Sequence, residues 1–76
     1  MKKADIEIGR RAAEESFRIS EESNVPIRTM FKRIGLSEKI LYRWREGDTP
    51  DGRSLAKLLA AGADVVYILS GKRCAA

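Results

Sequence analysis

The sequence predicts an all-α domain of five short helices packed around one core. Three observations point there. Apolar residues recur at three- and four-residue spacing along most of the 76-residue chain, the period of a helix with one buried face. Between the periodic stretches stand residues that punctuate helices: Asn24, Gly35 with Ser37, Gly47, Gly62 with Asp64, and Gly71. The one run that favours a sheet, VVYIL at residues 65–69, has no second strand to pair with, so it too reads as a buried helix.

The first helix is expected over residues 5–22. Ile6, Gly9, Ala12, Ala13, Phe17 and Ile19 share one side, and Glu7, Arg10, Arg11, Glu14, Glu15, Arg18 and Glu21 take the other. Its middle is small at Gly9, Ala12, Ala13 and Ser16, so another helix is able to approach closely there. Glu14, Glu15, Glu21 and Glu22 read as a solvated face paired with Arg10, Arg11 and Arg18, not as a catalytic or metal-binding cluster. Asn24 is placed as the N-cap of a second helix over residues 25–34, with Pro26 in its first turn. Ile27, Met30, Phe31 and Ile34 point inward on that helix, and Arg28, Lys32 and Arg33 outward.

Gly35 ends the second helix by taking the left-handed conformation. Leu36 plugs the turn and Ser37 caps a third helix. Ile40, Leu41 and Trp44 form its inner face, while Glu38, Lys39, Tyr42, Arg43 and Glu46 cover the outer one. The spacing of Trp44 from Leu41 and Ile40 makes it a core residue and not a base-stacking platform. Residues 48–52 are a loop by composition. A fourth helix then buries Leu55, Leu58 and Leu59 and stops at Gly62. Asp64 caps a fifth, whose Val65, Ile68 and Leu69 fill the core before Gly71 ends it.

Charge is concentrated where the third helix lies. Fifteen Lys and Arg against eleven Asp and Glu give the chain +4. Residues 28–45 hold six cations against Glu38 alone, a net +5, so the remainder nearly cancels. That distribution suits an anionic partner. Cys74 is the single cysteine and reads as a bystander in a frayed tail, with a reducing cytoplasm as the default setting. No apolar run approaches eighteen residues, and Met1-Lys2-Lys3 leads into no apolar stretch, so neither a membrane span nor a signal peptide is expected. There is no histidine, metal-ligand cluster, nucleophile–base pair or phosphate loop. An enzyme, a cofactor, a bound metal and a small-molecule ligand are therefore not expected.

Two short helices joined by a tight glycine turn, the second greasy inside and charged outside, make a helix-turn-helix at about residues 25–46. The residues Met30, Ile34, Gly35, Leu36, Ser37, Leu41, Trp44 and Gly47, followed by Pro50, Leu55 and GADVVYILSGKR at 62–73, resemble the lambda-repressor-like family (Cro and phage repressors, or XRE family). The last block is similar to small phage and prophage regulators. The resemblance covers residues 25–73, and the first helix fits in type though it is longer than usual. Phe31 departs from the pattern, which has alanine four positions before the turn glycine. Either the two helices splay, or Phe31 rotates into the core.

A length of 76 residues predicts a single domain over residues 1–76, with 1–4 and 72–76 as flexible ends. The resemblance implies a transcriptional regulator, most often a repressor, acting on double-stranded DNA as a homodimer at a palindromic operator in the cytoplasm, at the nucleoid. Base contacts fall by position on Ser37, Glu38, Lys39, Tyr42 and Arg43. Lys39 or Arg43 suits guanine O6 and N7, Glu38 suits cytosine N4, and Tyr42 a thymine methyl or a phosphate. Ser37 either contacts DNA or only caps its helix. Phosphate contacts are assigned to Arg28, Arg45, Thr49 and Arg53, and each of the three arginines otherwise reads as a surface charge with no partner. Val66 and Tyr67 are the candidate dimer contact, or else half-buried satellites of the core. Many such regulators carry a further C-terminal dimerisation or effector domain, which would follow residues 72–76. The alternative function is a helix-turn-helix module that binds a protein partner, as an antirepressor or adaptor, to which Glu38 and Glu46 on the outer face lend weight.

Overall fold

A computed structural model describes residues 3–73, with side chains from Ile6 onward. Cys74 lies outside the described residues. Five α-helices follow one another: α1 (Lys3–Ser23), α2 (Ile27–Ile34), α3 (Glu38–Glu46), α4 (Gly52–Ala60) and α5 (Val65–Ser70). No strand occurs among the described residues. No described helix is long and apolar enough to cross a membrane.

Local chemistry sets the ends of these helices. At the close of α2, Gly35 takes φ +80°, and the Leu36 N–H donates to the Phe31 carbonyl at 2.8 Å. Gly35 N–H donates to the Lys32 carbonyl at 3.3 Å. This pair of bonds uses carbonyls that the helix leaves unpaired. The same arrangement recurs where α3 and α4 end. It recurs at the end of α1 too, where Asn24 stands at φ 57° and the Val25 N–H reaches the Ser20 carbonyl at 3.1 Å. Asn24 therefore closes α1 and does not cap α2, correcting the expectation from sequence. Asparagine suits both jobs, because its short polar side chain tolerates the left-handed region and also accepts from helix N–H groups. The N-cap of α2 is Pro26, without a side-chain bond, and the helix starts at Ile27, two residues later than expected. Ser37 and Asp64 cap α3 and α5 as expected, accepting from the N–H groups of Lys39 and Tyr67, and Asp51, read from sequence only as a loop residue, caps α4 by accepting from the Ser54 N–H.

Gly35→Ala is expected to destabilise the domain by about 1–2 kcal/mol, the cost of holding a side-chain-bearing residue in the left-handed region. A Cβ there would meet only the end of the flexible Lys57 side chain, at 3.4 Å. The shift of the urea midpoint therefore reports backbone strain alone.

The core collects Trp44, Phe31, Leu41, Leu58 and Ile68, with Ala12, Ala13 and Met30. Phe31 is fully buried and meets the Trp44 ring edge-on, with centroids 5.9 Å apart. Of the two outcomes open for Phe31, the side chain lies in the core. The long helix α1 is the platform on which α3 and α5 rest. Its Gly9 lets α3 come in closely, since a Cβ there would lie 2.0 Å from the Asp48 carbonyl oxygen.

Four side chains depart from the expected inside–outside pattern. Leu59 and Leu69 were expected in the core but are 61% and 50% exposed, and Phe17 is 37% exposed. Helices of nine and six residues have room for one buried stripe. Leu58 and Ile68 occupy it. Glu15 departs the other way: it is completely buried, not solvated. Its carboxylate accepts from Arg18 Nε and Nη2 at 2.8 and 2.7 Å, from Arg73 Nη2 at 3.0 Å and from the Asp64 N–H at 2.9 Å. The charged side of α1 is covered by α5 and its approach at Glu15 and at Arg11, whose Nε donates to the Ile68 carbonyl at 2.9 Å, while Arg10, Glu14, Glu21 and Glu22 stay exposed.

Candidate nucleic-acid interface

The α2–turn–α3 unit holds its second helix by one face and offers the other. Leu41 and Trp44 are buried at 1% and 0% exposure, and they fix the roll of α3 about its own axis. With that roll set, Ser37, Lys39, Tyr42 and Arg43 are all exposed. Spacings of three and four residues gather Lys39, Tyr42, Arg43 and Glu46 onto one strip. Lys39 and Arg43 form no ion pair among the described residues. Their charges are thus not spent on a neighbour. Ser37 Oγ accepts from the Lys39 N–H at 3.2 Å, so the capping role is filled.

Glu38, the first residue of α3, is only partly exposed. Arg28 reaches across from the start of α2, and its Nε donates to Glu38 Oε2 at 3.0 Å. The Glu38 carboxylate raises the Arg28 pKa above its ordinary value, with a smaller contribution from Tyr42. Two residues given separate tasks by sequence, one for bases and one for phosphates, are therefore joined.

The remaining phosphate candidates are spread along the chain. Arg45 leans over the Phe17 ring, its guanidinium carbon 5.9 Å from the centroid. It lines an open groove of about 410 Å³ with Arg10, Ala13, Glu14 and Phe17. Thr49 is exposed in the loop after α3, and Arg53 is exposed in the first turn of α4. The lysine of α4, Lys57, is turned to the glycine turn itself, where Nζ donates to the Gly35 carbonyl at 3.0 Å.

No family model matches this chain, and neither a curated protein nor a solved structure matches it.

At the far end, the two residues considered together for a dimer contact part company. Val66 is 52% exposed. Tyr67 is half-buried, and it is held by α1: its hydroxyl donates to Glu14 Oε2 at 2.5 Å, and the Arg73 guanidinium lies over its ring at 4.0 Å. The Glu14 carboxylate holds the phenol above its ordinary pKa. Leu69, three residues beyond Val66 and exposed like it, shares that face of α5 instead. Sequence reasoning missed Leu69 because it was counted as core. The available signal was the length of α5: one and a half turns offer one buried edge.

Proposed function

We propose that this chain is a sequence-specific double-stranded DNA-binding regulator, with a helix-turn-helix of the lambda-repressor-like kind formed by α2 and α3. One observation carries the reading. Lys39, Tyr42 and Arg43 stand exposed on a short helix whose opposite face is locked by Leu41 and Trp44. A major groove about 12 Å wide admits such a helix, and lysine, tyrosine and arginine supply donors and apolar contact for base edges. The net +5 of residues 28–45 supplies the non-specific attraction to phosphates. Arg45, Thr49 and Arg53 serve as backbone contacts in this reading, and Ser37 works as the cap of α3. A homodimer joined through the Val66 and Leu69 face of α5 would present two reading helices to half-sites roughly 34 Å apart. Occlusion of a promoter is the regulatory mode that such a complex fits.

Selection from a random duplex pool at near-physiological salt tests the reading. Enrichment of a palindrome with half-sites near one helical turn apart supports a dimeric operator-binding regulator. Binding without enrichment, weakening steeply with salt, leaves only a backbone grip. Arg43→Ala is expected to weaken binding to the selected site by about 1–3 kcal/mol and to relax the preference at one base pair. An equal loss on every sequence would make Arg43 a phosphate contact.

A second reading rests on a specific feature of the same face. Glu38 and Glu46 stand among the cations of α3, which suits a protein partner of mixed charge. Absence of DNA binding together with salt-insensitive capture of a protein partner would favour that reading.

A further inference from the structure

The ion pair between α2 and α3 assigns Arg28 a task different from gripping phosphate. We propose that Arg28 is a positioning residue that aims the Glu38 carboxylate at the N4 amino group of a cytosine in the major groove. This rests on the DNA-binding reading above and names one element of its specificity.

The starting point is an electrostatic problem. A carboxylate at the first residue of a reading helix approaches two rows of phosphates. Unless it meets a donor at a base edge, it opposes binding to every sequence alike. Among base edges in the major groove, cytosine N4 presents a donor without an adjacent acceptor, whereas guanine presents only acceptors there. Glu38 is therefore useful only if it is held at the right place and its charge is partly offset. Arg28 does both. Its side chain is 81% exposed, yet its Nε lies 3.0 Å from Glu38 Oε2. The bond spans the turn and ties the start of α2 to the start of α3.

The bond also leaves Glu38 competent to accept. Arg28 engages Oε2 through Nε, and a carboxylate offers about four lone-pair sites. The Glu38 side chain remains 30% exposed. Its backbone is equally constrained, because the neighbouring Ser37 caps the helix through the Lys39 N–H. With the helix start capped and the carboxylate tethered, few rotamers of Glu38 stay open, and pre-organisation of that kind sharpens discrimination.

The two tasks for Arg28 predict different measurements. A phosphate contact carries no sequence information, and its loss weakens binding uniformly while reducing the salt slope by about one. A positioning residue changes the preference at one base pair and leaves the slope alone. The experiment measures fluorescence anisotropy of the intact chain on the selected duplex and on its variants at each position, over a series of salt concentrations. It uses wild type, Arg28→Ala, Glu38→Gln and the double variant. Both side chains lie at the surface, and circular dichroism checks that each variant is folded.

The expected result is a wild-type preference for cytosine at one position of about fivefold or more. Glu38→Gln abolishes it, Arg28→Ala reduces it severalfold without altering the salt slope, and Arg28→Ala in the Glu38→Gln background changes the preference no further. Uniform weakening by Arg28→Ala with a shallower slope would overturn the proposal in favour of a phosphate contact. A wild-type preference untouched by Glu38→Gln would overturn it while leaving DNA binding intact. Absence of wild-type binding on any duplex would remove the DNA-binding reading itself, and the proposal with it.

Discussion

Alanine at position 9 is expected to destabilise the domain by about 3 kcal/mol or more, at the upper end of what overpacking costs. A domain of this size holds about 4–11 kcal/mol in total, so the variant should be close to unfolding at room temperature. Helix propensity alone argues the opposite sign, since alanine in a helix interior is favoured over glycine by about 1 kcal/mol. Sterics decide it. A Cβ on Gly9 would lie 2.0 Å from the Asp48 carbonyl oxygen and 2.8 Å from that of Trp44. Both atoms are backbone, so no side-chain rotation relieves the clash. The end of α3 must move off α1, and Trp44, fully buried at that junction, must follow. Urea unfolding followed by the emission of Trp44, the single tryptophan, measures the loss. Gly52→Ala is the control. Nothing lies within 4 Å of a Cβ there and the residue is helical, so it should be neutral or slightly stabilising. Equal stability of the Gly9 and Gly52 variants would mean that α1 and α3 do not pack this closely.

Loss at Gly9 also links the fold to the proposed function. The pitch of α3 is set by three contacts: Gly9 under its end, its own buried Trp44 and Leu41, and the Gly35 turn before it. Each of these was readable in the sequence for a local reason. Small residues at Gly9, Ala12 and Ser16 announced a close approach. The spacing of Leu41 and Trp44 announced a buried face. Gly35 followed by Ser37 announced a stop and a start, and those bonds span at most five residues. The five helices and the outer strip of α3 follow from such short-range signals.

What escaped was decided by groups far apart in the chain. A helical wheel drawn for α1 places Glu15 outside, because the wheel contains only α1. The covering group is the Asp64 N–H, 49 residues away, joined by Arg73, 58 residues away. Arg28 and Glu38 stand ten residues apart across a turn, a separation that no helical period marks. Asn24 failed for another reason: its chemistry suits a helix end as well as a helix start. Only the Val25 bond back to Ser20 distinguishes the two.

Glu15 is the site of the second large effect, and there the variable is pH. Its carboxyl group is held down to a pKa of about 2, from 4.5 when unconstrained. The leading cause is the two-pronged bond from Arg18. Burial opposes it, and the bonds from Arg73 and the Asp64 N–H reinforce it. A depressed folded-state pKa means that the unfolded chain binds the proton more readily. The stability contributed by Glu15 is therefore complete above about pH 4.5 and is lost as pH falls toward 2. The difference corresponds to about 3 kcal/mol, a large share of the total for so small a domain. Glu15→Gln keeps the shape but withdraws the charge, leaving Arg18, Arg73 and the Asp64 N–H around a neutral amide. It is expected to lower stability at pH 7 by about 2–3 kcal/mol. It should also flatten the stability profile between pH 4.5 and 2 relative to wild type. Urea unfolding of both proteins at steps through that range isolates Glu15 from the other carboxylates, which titrate in each. Parallel profiles would mean that the Glu15 charge is not what fastens α5 to α1. A converging pair, with wild type falling to meet the variant in acid, would establish that one buried carboxylate holds the last helix and the exposed Val66 and Leu69 face in place.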